Sequence, residues 1–173
     1  MSTAPAAPTL AQVALGDFEQ ELATTRRVLE RVPDARWDFK PHEKSMSLGQ
    51  LAGHVANLLN WGIHALAEEG VDFVAPPPLP PRPTNRTELL AAFDAAVARL
   101  HAAVQGASDE ALGRTYTMRR GEQVMMTMPR TAMIRGWVLS HIIHHRGQLT
   151  VYLRLLDIPV PSVYGPTADE GRF

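Results

Sequence analysis

Apolar residues recur every three or four positions in four stretches of the chain, the spacing of amphipathic helices. The first stretch, residues 10–29, is predicted to end at Val32-Pro33, because proline lacks a backbone donor and clashes with the preceding turn. The second begins at Ser45 or Ser47, whose hydroxyls can cap a helix, and ends at Gly70. Their apolar positions are Leu10, Ala14, Phe18, Leu22 and Leu29, then Leu48, Leu51, Val55, Leu58, Leu59 and Leu66.

The third and fourth predicted helices lie in the second half of the chain. The third starts near Thr84 or Thr87, and the fourth has Thr127 as its cap and Pro129 in its first turn. The fourth continues until the chain meets Pro159. The apolar positions are Leu89, Leu90, Phe93, Val97, Leu100 and Val104, then Ile134, Val138, Leu149, Tyr152 and Leu156.

The connections between these helices differ in character. Residues 34–47 are polar and are predicted to pack Trp37 and Phe39 on the helices. Residues 76–83 contain six prolines, which favour an extended polyproline II spacer; the alternative is a ligand for a proline-recognition domain. Residues 115–126 are compatible with a short hairpin between helices three and four. The pattern therefore predicts an all-α fold, a four-helix bundle, with residues 1–173 in a single domain.

The amino-acid composition excludes several classes of function and of site. Hydrophobic residues make up 45% of the chain, enough for a sizeable core. The 17 basic residues balance 18 acidic ones, which argues against nucleic acid and anionic membranes as partners. There is no cysteine, so disulfides, thiolate zinc sites and a cysteine nucleophile are excluded. No apolar stretch reaches the roughly 18 residues of a spanning helix, and no targeting signal is evident, so a cytoplasmic protein is expected.

Three of the seven histidines fall on predicted apolar helix faces. His141 and His145 lie between Val138 and Leu149 on the fourth helix, and His54 lies on the second. Residues four apart on a helix have Cβ atoms about 5–6 Å apart, so two imidazoles can share one cation. A third nitrogen from a facing helix would complete an open, catalytic type of metal site. The alternative is a set of core histidines bonded to backbone or buried water.

We expect the other four histidines to lie outside the metal-binding group. His144 is rotated about 100° from His145 around the helix, so it is expected at the edge of the site, facing either a ligand histidine or a substrate. His42, His64 and His101 are read as surface or packing residues, because the sequence suggests no partner for them.

Three segments of the chain have a recognisable pattern: SLGQLAGHV at 47–55, HIIHHRGQL at 141–149 and YGPTADE at 164–170. They resemble the DinB-like family, also described as DinB/YfiT-like metalloenzymes. The resemblance implies a helical bundle with long crossover connections, often a homodimer. It also implies that His54, His141 and His145 bind a divalent metal ion together with water.

The same resemblance implies a chemistry. Characterised relatives include thiol-dependent transferases and isomerases that use bacillithiol or mycothiol, so a metal-dependent thiol S-transferase acting on a small-molecule substrate is expected. The thiol would be a low-molecular-weight cofactor, since the chain has no cysteine. Arg119, Arg120 and Arg146 are candidates for binding its carboxylate. Alternatively, Arg119 and Arg120 are a solvated loop pair and Arg146 anchors the tail carboxylates Asp169 or Glu170.

Two other functions stay open at this point. Metal-assisted hydrolysis needs a carboxylate base, and no glutamate lies within either histidine motif, so Glu43 or the tail would have to supply it. The second is a non-catalytic, stress-associated bundle stabilised by its metal. Zinc or nickel is the expected ion, while iron or cobalt also suits an all-nitrogen donor set.

Overall fold

Residues 7–171 are described by a computed structural model of the chain. Its helices are α1 (Leu10–Leu15), α2 (Phe18–Leu29), α3 (Leu48–Ala67), α4 (Arg86–Gln105), α5 (Asp109–Gly113), α6 (Arg130–Ala132) and α7 (His141–Leu155). A π-helical segment, Met133–Ser140, joins α6 to α7 without interruption. Three short strands complete the fold: β1 (Gly70–Asp72), β2 (Thr115–Arg120) and β3 (Gln123–Pro129).

The core lies between four of the helices. Helix α3 packs against α4 and α7, and α2 packs against the same two helices. Side chains of Leu29, Leu59, Phe93 and Leu149 in this core are almost completely buried. Long connections join α3 to α4 and α4 to α7, as the resemblance implied.

The prediction of an all-α fold is wrong in one respect, because the chain forms a small sheet in the order β1-β2-β3. Strand β1 runs parallel to β2, and β2 and β3 form the predicted hairpin. Gly70, predicted to end a helix, instead begins β1, where an added Cβ would lie 2.3 Å from the carbonyl oxygen of Thr117. The missing side chain lets the two strands approach each other.

Two predicted helix boundaries are also wrong. The first apolar stretch forms two helices rather than one, because the chain turns at Gly16-Asp17 and Asp17 forms an ion pair with Arg135. This turn lets α1 contact α5 and α6 while α2 joins the central helices. Thr127 does not cap the fourth helix but lies in β3, opposite Thr117, since the hairpin extends as far as Pro129.

The connector before α3 packs on the core as predicted. Trp37 and Phe39 are half-buried against core residues. The indole of Trp37 covers Gly49, where an added Cβ would lie 2.1 Å from Nε1. Ser47 caps α3 by accepting a hydrogen bond from the backbone N–H of Gln50, whose side chain in turn accepts from the N–H of Ser47. This cap fixes the start of the helix that carries His54.

Candidate metal centre

His54 lies near the start of α3, where the proline-rich connection crosses the helix. Pro83 is buried there, and an added Cβ on Gly53 would lie 3.3 Å from its ring. The close approach of Pro83 brings the end of the proline-rich segment, including Arg82, towards the His54 side of the helix.

His141 and His145 occupy the first turn and a half of α7, directly after the π-helical segment. A π-helix is wider than an α-helix and often occurs at functional sites. Within this segment the hydroxyl of Ser140 donates to the carbonyl oxygen of Arg135, five residues earlier, at 3.0 Å. Both histidines are half-buried on the side of α7 that faces α3.

The three histidines converge into one cluster. One ring nitrogen from each of His54, His141 and His145 lies within 4.8 Å of the other two. The Nε2 atoms of His141 and His145 are 2.9 Å apart. The ring centroid of His54 is 5.2 Å from that of His141 and 4.7 Å from that of His145. Such a group of nitrogen donors from two helices is the arrangement in which open transition-metal sites are built.

Gln148 orients one of these rings. Its Oε1 accepts a hydrogen bond from Nδ1 of His145 at 2.7 Å, which leaves Nε2 of that ring with its lone pair towards the cluster. The Nε2 group of Gln148 lies 3.2 Å from Nε2 of His144. His144 is exposed, and its ring centroid is 4.8 Å from that of His145. The structure thus places His144 at the edge of the cluster, in contact with Gln148.

The environment of the cluster favours the neutral form of two of its rings, those of His54 and His145. Burial, together with the smaller effects of the neighbouring His145, His141 and Arg82, lowers the pKa of His54 to about 4. Burial also lowers the pKa of His145, against the opposing effect of its hydrogen bond to Gln148. Neutral imidazoles have free lone pairs, so these rings are ready to bind a cation near pH 7.

The remaining histidines lie apart from the cluster, as predicted. Nδ1 of His64 is 2.9 Å from the hydroxyl of Tyr116. Nε2 of His101 is 2.7 Å from a carboxylate oxygen of Glu19. His42 is exposed on the connector, and its Nδ1 accepts a hydrogen bond from the backbone N–H of Lys44.

Neither expectation for Arg146 is correct, because its guanidinium is buried inside the protein. Nη2 lies 2.7 Å from a carboxylate oxygen of Glu21, and Nη1 donates to the carbonyl oxygen of Glu21 and the hydroxyl of Thr25. The hydroxyl of Tyr164 donates to the same carboxylate. Arg146 therefore joins α7 to α2 and, through Glu21, to the tail.

The tail carboxylates are paired with other arginines. Asp169 binds Arg154, and Glu170 binds Arg27 and Arg31. Arg119 and Arg120 are exposed on the hairpin, with Arg119 3.6 Å from Asp72. This agrees with the reading of Arg119 and Arg120 as a solvated pair.

A comparison with known sequences decides the family. The sequence profile of the DinB superfamily matches residues 17–149, which include all three clustered histidines. The chain belongs to the DinB superfamily. Among curated proteins it is 26% identical over 156 residues to YrdA, an uncharacterized protein of Bacillus subtilis (strain 168), covering 90% of this chain and 89% of that protein.

Solved structures of DinB-like proteins share the fold. One from Bacillus cereus ATCC 10987 superposes with a TM-score of 0.67 at 20% identity, covering 87% of this chain and 95% of that one. Another from Bacillus subtilis gives a TM-score of 0.65 at 18% identity, covering 91% and 98%. Within residues 7–171, no helix of this DinB-superfamily chain combines the length and the hydropathy needed to cross a membrane.

Sequence reasoning missed two residues beside the cluster. Gln148 belongs to the segment HIIHHRGQL, and its spacing of three from His145 already places it on the neighbouring turn of the helix. No pattern in the sequence predicts that Arg82 lies near His54, because only the folding of the proline-rich segment brings the two residues together.

Proposed function

We propose that this DinB-superfamily protein binds one divalent metal ion through His54, His141 and His145 and acts as a metal-dependent thiol S-transferase on a small molecule. The observation that carries the proposal is the convergence of three ring nitrogens within 4.8 Å on half-buried helix faces. Zinc or nickel is the expected ion, and iron or cobalt fits the same donors.

The chain's own residues suit such an ion. Burial favours the neutral, metal-binding form of His54 and His145. Gln148 fixes the ring orientation of His145 by accepting from Nδ1. Three protein ligands leave coordination positions for small molecules, as in catalytic rather than closed structural sites.

A divalent ion at this site would supply Lewis acidity, which lowers the pKa of a bound thiol or water. Because the chain has no cysteine, the reacting sulfur must come from a second small molecule. The thiol gives its proton to solvent, and its sulfur forms a bond to an electrophilic carbon as the leaving group departs with its electron pair. The positive charge of Arg82 near His54 favours the anionic form of a sulfur atom at the proposed metal site.

The hydrolase alternative receives less support from the structure. Among residues 7–171, the group of metal-binding side chains at this site contains histidines and no carboxylate. Asp169 and Glu170, the tail candidates for a general base, are engaged by Arg154, Arg27 and Arg31. Glu43 is exposed on the connector.

Elemental analysis of protein purified without chelators tests the metal site. We expect about one divalent ion per chain in the wild type and in His101→Ala, but none in His54→Ala. His101 is a matched control, because its ring is held by Glu19 outside the cluster. An equal metal content in the three proteins would contradict the site.

Thiol consumption tests the reaction. Incubation of the metal-loaded protein with thiols and a panel of alkyl halides and epoxides should consume thiol in the wild type and in His101→Ala but not in His145→Ala. If chelation lowers the melting temperature while no thiol is consumed by any protein, the metal has a structural function and the transferase proposal is wrong.

A further inference from the structure

A cavity of about 390 Å³ opens directly beside the histidine cluster. It lies between α7 and the connector that precedes α3, and its wall includes His145 and Gln148. A volume of this size is within the range of roughly 300–1,000 Å³ that small-molecule sites occupy. One of the three clustered histidines thus also contacts a space large enough for part of a ligand.

The walls of this cavity are mainly apolar. Leu51 and Tyr152 belong to the core, whereas Met46 and Val151 remain 44% and 57% exposed. The hydroxyl of Tyr152 donates to the carbonyl oxygen of Met46 at 3.1 Å, which holds the connector against α7. Exposed apolar side chains around a concave space gain free energy when an apolar ligand covers them.

Few polar side chains line the cavity. Besides His145, the polar side chains in the lining formed by residues 7–171 are those of Ser45, Gln148 and Tyr152, and no carboxylate, lysine or arginine is among them. The cavity between α2 and α4 is also mainly apolar, but it includes the charged side chains of Glu19, Arg26 and Asp94 and has no contact with the cluster. The cavity beside the metal centre therefore matches an uncharged, apolar group.

We infer that the cavity bounded by Met46, Leu51 and Val151 binds an apolar group of the substrate. The substrate class is a small molecule that carries an aromatic ring or a branched aliphatic group next to its reacting atom. The inference rests on the proposed metal centre, because His145 is shared between the cluster and the cavity. Met46 suits an adaptable wall, since its side chain is unbranched and flexible.

Paired ligands with and without a phenyl ring test this inference on the cobalt(II)-loaded protein. Visible absorption titrations compare 4-phenylimidazole with imidazole, and benzyl mercaptan with 2-mercaptoethanol. We expect the phenyl group to tighten binding about tenfold in each pair. Met46→Ser and Val151→Ser should remove most of this difference while leaving the affinity for imidazole unchanged. Leu155→Ser is the matched control, because Leu155 is similarly exposed on α7 but does not line this cavity.

A second readout needs no metal. In protein labelled with ¹³C at the methionine methyl groups, 4-phenylimidazole should shift the signal of Met46, which Met46→Ser assigns by its disappearance. The signal of Met125, exposed on the hairpin, should stay in place.

The results of these experiments distinguish a failure of the cavity inference from a failure of the proposed thiol transfer. A phenyl preference for the imidazole pair without any thiol binding would contradict the transferase and support the cavity. Equal affinities within both pairs, with an unmoved Met46 signal, would overturn the cavity. A dimer in sedimentation velocity that dissociates in Met46→Ser would assign this face to a second copy of the chain and would also overturn the inference.

Discussion

Nδ1 of His145 lies 2.7 Å from Oε1 of Gln148, one turn further along α7. Since an amide oxygen only accepts hydrogen bonds, the proton of this ring is on Nδ1 and the lone pair is on Nε2. Nε2 is the atom that lies 2.9 Å from His141 within the cluster. Gln148 therefore sets both the orientation and the tautomer of a proposed metal ligand, as ring N–H partners do in metal sites.

Replacing Gln148 should weaken metal binding without unfolding the protein. We expect Gln148→Ala to reduce the affinity for zinc about 10–100-fold, because the His145 ring loses its orienting partner. Competition with a chromophoric chelator measures this change. Gln105→Ala is the control, since Gln105 has a similar contact with His101 outside the cluster. An unchanged zinc affinity in Gln148→Ala would show that the hydrogen bond does not tune the site.

The buried pair of Arg146 and Glu21 should matter for stability. We expect Arg146→Met to lower the free energy of unfolding by about 3–5 kcal/mol, because it leaves the carboxylate of Glu21 buried and unpaired. The double variant with Glu21→Met should recover part of this loss. Urea denaturation followed by circular dichroism measures both. Arg119→Ala breaks an exposed pair and should cost no more than about 1 kcal/mol.

The metal-free protein should lose stability in mild acid. The pKa of His54 is about 4 in the folded chain against 6.5 ordinarily, so the unfolded chain binds more protons between these values. The stabilisation from the neutral ring is complete above pH 6.5 and should be lost as the pH falls towards 4. Denaturation between pH 4 and 7.5 in the presence of a chelator measures the slope. His54→Gln should reduce this slope and His42→Gln should not; equal slopes would refute the assignment to His54.

The contact between Gly49 and Trp37 should tolerate no side chain. In Gly49→Ala the new methyl group would occupy the space of the indole, and we expect a loss of about 1–3 kcal/mol from the displaced ring. Gly147→Ala is the control, because open space surrounds that position on α7 and the change should be neutral or stabilising by up to about 1 kcal/mol. Thermal unfolding of the two variants measures the difference, and a stable Gly49→Ala would contradict the packing.

Several elements of the fold follow from local sequence signals. The period of apolar residues predicted α3, α4 and α7, and the hydroxyl of Ser47 marked the start of α3. The same signals failed at Gly16-Asp17, where the periodicity continues although the helix does not. Asp17 at this turn pairs with Arg135, 118 residues further along the chain. No local pattern contains that information.

The candidate site was likewise predictable from the sequence only in part. The sequence determined which imidazoles share helix faces, because four residues make slightly more than one turn of an α-helix. Only the tertiary structure decided that α3 and α7 bring His54 within 4.8 Å of the other two, and that Arg146 turns inwards to Glu21. It also decided that Met46 and Val151 border a cavity at His145. These contacts join distant segments, and such contacts depend on how the helices pack, which periodicity does not encode.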